Sequence, residues 1–133
     1  MVTETKYKMG ASTYDFSSSE VVFGEDFEIS EPTPLADAAK AKGRAIFLGT
    51  VFDIQFKETR AGDKTTVTIG VSDGASAIYV KKTLLNEEIG WTKGVKPGAH
   101  FALFGRVMFD KFDGEPFLSP IGIKKIKACL RTA

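Results

Sequence analysis

"GTVFDIQFKETRAGDKTTVTIGVSDGASAIYVKK", residues 49–82, decides the fold. In "TTVTIGV" the apolar residues alternate, which predicts Val67, Ile69 and Val71 on one face of a strand and Thr66, Thr68 and Gly70 on the other. "AIYVKK" repeats the pattern, with Ile78 and Val80 expected inward and Ala77, Tyr79 and Lys81 outward. "SDGAS" between them reads as a hairpin turn in which Asp73-Gly74 supplies the positive φ values. Upstream, strict alternation predicts Phe52, Ile54 and Phe56 inward and Asp53, Gln55 and Lys57 outward, followed by a loop at "ETRAGDK".

Working outward, "RAIFLGTVFDIQFK" is one long strand beginning at Arg44. Residues 46–52 are apolar on both parities around Gly49, which predicts a bend where one strand serves two sheets. After Lys82 the period changes. "NEEIGWTKG" reads as a short helix with Asn86 as N-cap, Glu87 and Glu88 at the positive end of the dipole, and Gly94 at the C-terminal cap. Ile89 and Trp91 are expected to pack on the strands, while Gly90 weakens the helix by ~1 kcal/mol. "VKPGAHFALFGRVMF" gives a turn at Pro97-Gly98 and a fourth strand. "DKFDGEPF" is a second hairpin loop and "LSPIGIKKIK" a fifth strand, which Pro116 and Pro120 push toward an edge or a bulge. Three strands, a short helix and two more strands, with a glycine-marked first strand, describe an all-β, five-stranded barrel of the oligonucleotide/oligosaccharide-binding (OB) kind over residues 44–127. An SH3-like barrel fits the helix and the long first strand less well.

Residues 1–43 differ in character. They carry eight Asp/Glu against four Lys, a net of −4, whereas residues 44–133 carry fourteen Lys/Arg against nine Asp/Glu, a net of +5. "SSSEVVFGEDFEI" offers a short strand anchored by Val21, Val22 and Phe23. Pro32 and Pro34 hold the chain extended, and a helical turn is expected over residues 35–42 with Gly43 ending it. The segment reads as an acidic, proline-containing leader or linker with the option of packing on the domain edge, and residues 128–133 as a C-terminal stub. At 133 residues a single domain is expected, with ordinary hydrophobic and charged content. No apolar run approaches the ~20 residues that span a bilayer, and the first residues lack a signal-peptide core, so a cytoplasmic protein without a membrane partner is expected.

Catalytic patterns are missing from the sequence. It contains no GxxxxGK[ST], GxGxxG, HExxH or paired CxxC. His100 is expected at a surface or half-buried strand position, and Cys129 as an incidental thiol beyond the barrel. Asp110, Asp113 and Glu115 do not have calcium-loop spacing and suit a turn on Asp113-Gly114. No catalytic residue, metal or cofactor is expected for this chain alone.

The stretch "EPTPLADAAKAKGRAIFLGTVFDIQFKETRAGDKTTVTIGVSDGASAIYVKK" resembles the OB domain of the Gram-positive, PolC-type replicative DNA polymerase III α subunit. In that family a "GEPTPI"-like linker precedes a "GKVFDVE" first strand, and here Glu31-Pro32-Thr33-Pro34 and residues 49–58 correspond. Residues 68–81 and 95–107 match the family's hairpin and fourth strand, so the likeness covers roughly residues 23–127. The loop "FDKFDGEPFLSP" departs from the pattern in being longer and richer in phenylalanine. The resemblance implies a piece of a larger DNA-directed DNA polymerase with 3′–5′ exonuclease, whose catalytic domains lie elsewhere; "KACLRTA" is then expected at a domain junction. It further implies a role in DNA replication, holding single-stranded template DNA or docking another replisome protein.

For single-stranded DNA the outward face is expected to supply a stacking ring at Tyr79, with Phe109 and Phe112 beside Lys111 at the second hairpin. Lys57, Arg60, Lys64, Lys81 and Arg106 are expected to meet phosphates. Gln55, Thr66 and Thr68 offer neutral hydrogen bonds that tolerate any sequence. So few aromatics and so little net charge predict weak, salt-dependent binding that matters when the domain is tethered beside a polymerase. The alternative is a docking module with little intrinsic DNA binding, which an exposed patch of Phe104, Met108, Phe109 and Phe112 would favour. The acidic leader is also a candidate to lie across the basic face and compete with DNA.

Overall fold

A computed structural model describes residues 6–9, 12–15, 19–29, 32–41, 43–74, 76–112, 114–126 and 128–131. Among these are strands β1 (Lys6–Met9), β2 (Ser12–Asp15), β3 (Glu20–Gly24), β4 (Arg44–Glu58), β5 (Lys64–Ser72), β6 (Ala77–Leu85), β7 (His100–Phe109), β8 (Pro116–Lys125) and β9 (Ala128–Arg131). Three short 3-10 helices lie at Leu35–Lys40, Asn86–Glu88 and Gly90–Gly94. β4, β5 and β6 form an antiparallel meander. β6 runs parallel to β8, β8 pairs antiparallel with β7, and β7 returns to β4, so five strands close on themselves. This is the expected all-β OB-like barrel. β3 adds to the outside of β8, and β1, β2 and β9 make a separate three-stranded sheet.

The closure rests on two strands that change partners. Residues 44–50 of β4 pair with β7 and residues 50–58 with β5. Gly49 sits buried at the handover, where a Cβ would lie 3.2 Å from the Val71 Cβ, so the expected bend occurs where a side chain would crowd the neighbouring strand. In β8, residues 117–118 face β6, while residues 122–125 face β3. Its register against β7 shifts where Pro120 pairs with Gly105. Pro120, which has no N–H to donate, therefore marks a bulge rather than an edge.

The alternation of β5 and β6 is as predicted. Val67, Ile69, Val71, Ile78 and Val80 are buried with Phe47, Val51, Phe101, Leu103, Leu118 and Ile123 in one core. Burying each such side chain stabilises the fold by about 1.5–3 kcal/mol. Gly74 has φ +93° at the β5–β6 turn, and Gly98 has φ +93° after Pro97.

The expected short helix is two successive 3-10 turns that meet at Ile89, next to Gly90. Asn86 does not cap it. Its side chain accepts from Thr65 Oγ1 at 2.6 Å and donates to Gly62 O at 2.8 Å, tying the connector to the β4–β5 loop. Glu88 accepts from the Leu85 N–H at 3.1 Å instead. Ile89 and Trp91 pack against the core as expected, with the Trp91 ring 4.8 Å from Phe23.

The leader contributes to the barrel directly. Leu35 and Ala38 are buried in the main core, the Leu35 N–H donates to Asp73 Oδ2 at 3.2 Å, and Thr33 N–H donates to Ile46 O at 2.7 Å. The helical turn ends with Ala41 already extended, two residues before Gly43. Phe27 and Ile29 cover Leu48, Ala102 and Ile126 on the outside of β4 and β7. Lys124 donates to Phe27 O at 2.8 Å and pairs with Asp26 at 2.9 Å. The hydrogen bond and charge of Lys124 hold the Asp26 carboxyl below its usual range. A depressed carboxylate pKa means the pair's small contribution is intact at neutral pH and is lost only as acid titrates through the lowered value. Deleting residues 1–43 would remove core side chains as well as negative charge.

Candidate nucleic-acid interface

The outward face of β4, β5 and β6 is organised in cross-strand rows. Opposed residues of an antiparallel pair share a face, and their Cβ atoms lie ≈ 4.5–5.5 Å apart. One row is Gln55, Thr68 and Lys81, and the next is Lys57, Thr66 and Thr83. Lys64 follows at the head of β5, and Arg60 stands exposed in the adjoining loop, where Thr59 N–H donates to Lys64 O at 3.0 Å. Seven of the predicted residues are thus brought onto one wall and its loop. Thr66 and Thr83 share a hydroxyl hydrogen bond of 2.8 Å, and the Gln55 amide donates to Asp53 Oδ2 at 2.9 Å.

On the other side of the Gln55 row lies a row that alternation alone misplaces. The ladder between β4 and β5 shifts register between Val51 and Asp53, so two residues of β4 oppose one of β5. Such a bulge reverses the facing of the extra residue. Phe52 is therefore not inward. It is 46% exposed, and its ring lies over Gly70 on the outer face. A Cβ on Gly70 would come within 2.6 Å of the tip of the Phe52 ring, so the glycine is the seat that lets the ring approach the sheet. Gly70 pairs with Tyr79, whose ring meets Phe52 edge-on with centroids 6.1 Å apart. Ile54 remains packed on the core, as expected. Phe56 keeps the inward register expected of it, opposite buried Val67, but is itself 51% exposed.

Tyr79, on the outward side as expected and 42% exposed, continues the row across the parallel pairing to Phe117, and Phe117 pairs with Met108. Phe52, Tyr79, Phe117 and Met108 thus form an apolar band around the outer wall. Sequence reading placed Phe117 in the loop, whereas β8 already begins at Pro116. Its partner Tyr79 is distant in sequence, and no local pattern signals that pairing. Phe52 did leave a signal: an outward glycine at position 70, opposite an aromatic-bearing strand, is a vacancy for a ring.

Lys81 lies over this band, with Nζ 5.2 Å from the Phe117 ring centroid and 3.3 Å from Asp110 Oδ2. Asp110 opens the β7–β8 loop. Its Oδ1 accepts from Phe112 N–H at 2.8 Å, and its own N–H donates to Glu115 O at 3.0 Å. Phe112 is 99% exposed, Phe109 is 56% exposed, and Lys111 is exposed beside them, so the second hairpin presents its three predicted residues to solvent. Asp113 lies outside the described residues. Arg106 is outward but apart from Lys81, across β8 beside Ser119 and Arg44. Phe104 is half-buried with its ring 5.3 Å from Phe27, so the exposed patch at this end consists of Met108, Phe109 and Phe112 without it.

Among the described residues no group of three His, Cys, Asp or Glu side chains is placed to hold a metal ion. His100 is half-buried on β7 with Nδ1 2.7 Å from Thr50 Oγ1, a structural contact at the strand where β4 changes partner. No described helix is long and apolar enough to cross a membrane.

A closed five-stranded barrel with a polar and aromatic outer wall defines the structural class, an OB-like β-barrel. In sequence the chain is 28% identical over 100 residues to DNA polymerase III PolC-type of Streptococcus sanguinis (strain SK36), covering 74% of this chain and 7% of that protein. It is 28% identical over 75 residues to DNA polymerase III PolC-type of Streptococcus pneumoniae serotype 2 (strain D39 / NCTC 7466), covering 56% of this chain and 5% of that protein. No protein-family model matches the chain. The similarity supports the PolC-type polymerase family, and the chain spans less than a tenth of these relatives' length.

Proposed function

We propose that the barrel is a single-stranded DNA platform of a PolC-type replicative polymerase, holding template near catalytic domains carried elsewhere. The observation that carries the reading is the continuous outer row of Phe52, Tyr79 and Phe117, flanked by the hydrogen-bonding Gln55–Thr68 row and by Lys57, Arg60 and Lys64. Rings offer every base a stacking surface, and the cations track a phosphate backbone without reading sequence. The rest of the polymerase and other replisome proteins are the proposed partners, and tethering beside the polymerase compensates for weak intrinsic affinity.

A titration of a labelled ~20-nucleotide oligothymidine by fluorescence anisotropy tests this reading. Saturable binding is expected at low salt. With four to five phosphates contacted, the log–log salt slope should lie between about −2.8 and −3.5, at ~0.7 per phosphate. A flat salt dependence would remove the phosphate contacts from the account. Absence of binding at high protein concentration would make the barrel a docking module, with Met108, Phe109 and Phe112 as its exposed apolar surface.

A further inference from the structure

Resting on that reading, we propose that Asp110 is a built-in competitor for the DNA backbone: its carboxylate occupies the phosphate position on Lys81, and a bound strand must displace it. Lys81 lies against the stacking rings, on the strand that carries Tyr79 and with Nζ 5.2 Å from the centroid of Phe117. In the structure that cation is engaged by Asp110 Oδ2 at 3.3 Å, with the lysine side chain 31% exposed and the aspartate 24%. A carboxylate and a phosphate oxygen present the same chemistry to an ammonium, and this part-buried pair at 3.3 Å is longer than the ≈ 2.7–2.9 Å of a tight charge-assisted bond, loose enough for one to exchange for the other. The carboxylate is not free to drift away when displaced. Its second oxygen takes the Phe112 N–H at 2.8 Å, and the Asp110 N–H is held by Glu115 O at 3.0 Å, so the loop keeps it poised beside Lys81.

The arrangement suits a surface that must release each nucleotide it takes. Stacking on Phe52, Tyr79 and Phe117 attracts the bases, while Asp110 returns to Lys81 as the phosphate leaves. It also lowers the salt dependence. The Lys81–Asp110 pair brings no net positive charge to the strand, so engaging it neutralises no phosphate charge overall and releases fewer of the DNA's condensed counterions.

The test is Asp110→Asn, which keeps an oxygen for the Phe112 N–H and removes the charge. Affinity for oligothymidine should rise about fivefold at low salt, the salt slope should steepen by about 0.7, and the gain should fade as salt rises tenfold. In a Lys81→Met background the same change should give no gain. Equal affinity and slope for Asp110→Asn and the unchanged chain, when both bind, would overturn the competitor role and leave the platform reading standing. A gain that persists without Lys81 would also overturn it, since the effect would then be general repulsion. Absence of binding by either form would overturn the platform reading and this inference together.

Discussion

Leu118→Ala is expected to destabilise the barrel by about 3 kcal/mol, lowering the thermal midpoint by about 10 °C. Leu118 is fully buried on β8 at the point where the barrel closes, opposite Val80 of the parallel strand β6 and Val107 of the antiparallel strand β7. Truncation removes the transfer free energy of three carbons and leaves a cavity. That cavity is hemmed in by two ladders, so the surroundings have little freedom to collapse. An exposed change such as Lys93→Ala, by contrast, should stay within about 0.5 kcal/mol. Urea unfolding of the two variants measures the difference. A cost below about 1 kcal/mol for Leu118→Ala would mean that β8 does not seal the barrel as described.

The largest functional effect is expected from Phe52→Ala combined with Tyr79→Ala. Each ring should contribute about 1–3 kcal/mol of stacking, a roughly fivefold to hundredfold loss of oligothymidine affinity per substitution. Because the rings meet edge-on at 6.1 Å, the losses should not add; the double variant should lose less than the product of the single ones. Both side chains are about half exposed, so the midpoint of unfolding should move little. Gly70→Ala provides a sharper version, since it removes no binding group. The new Cβ would displace the Phe52 ring from its seat, and affinity should fall toward that of Phe52→Ala. Full affinity in Gly70→Ala, alongside a loss in Phe52→Ala, would show that the seated ring position is immaterial.

The sequence was most legible where a single period held. The runs at Val67–Val71 and Ile78–Val80 lie on hydrogen-bonded neighbours without interruption, so alternation correctly assigns both faces, including outward Tyr79. Gly49 announced the bend of β4, and a Cβ there would crowd the Val71 Cβ at 3.2 Å, tighter than ordinary contact. Legibility ended one bulge later. The extra residue between Val51 and Asp53 breaks parity, and Phe52, read as core, became the second ring of the candidate site. Phe117 was hidden for a different reason: the parallel β6–β8 pairing joins residues 79 and 117. Asp110 was readable as a turn former, but its contact with Lys81 joins separate hairpins and leaves no mark in either. The leader's acidic composition likewise concealed Leu35 and Ala38, which belong to the core.

The central claim is that a single strand lies along the outer row of β4, β5, β6 and β8. The most direct test is to follow backbone amide resonances of the labelled chain during titration with oligothymidine. The account predicts shifts concentrated at Phe52, Thr68, Gly70, Tyr79, Lys81 and Phe117, with smaller ones at Lys57, Arg60 and Lys64. No shifts, or shifts confined to β3 and the turns at Asn86–Glu88 and Gly90–Gly94, would contradict it.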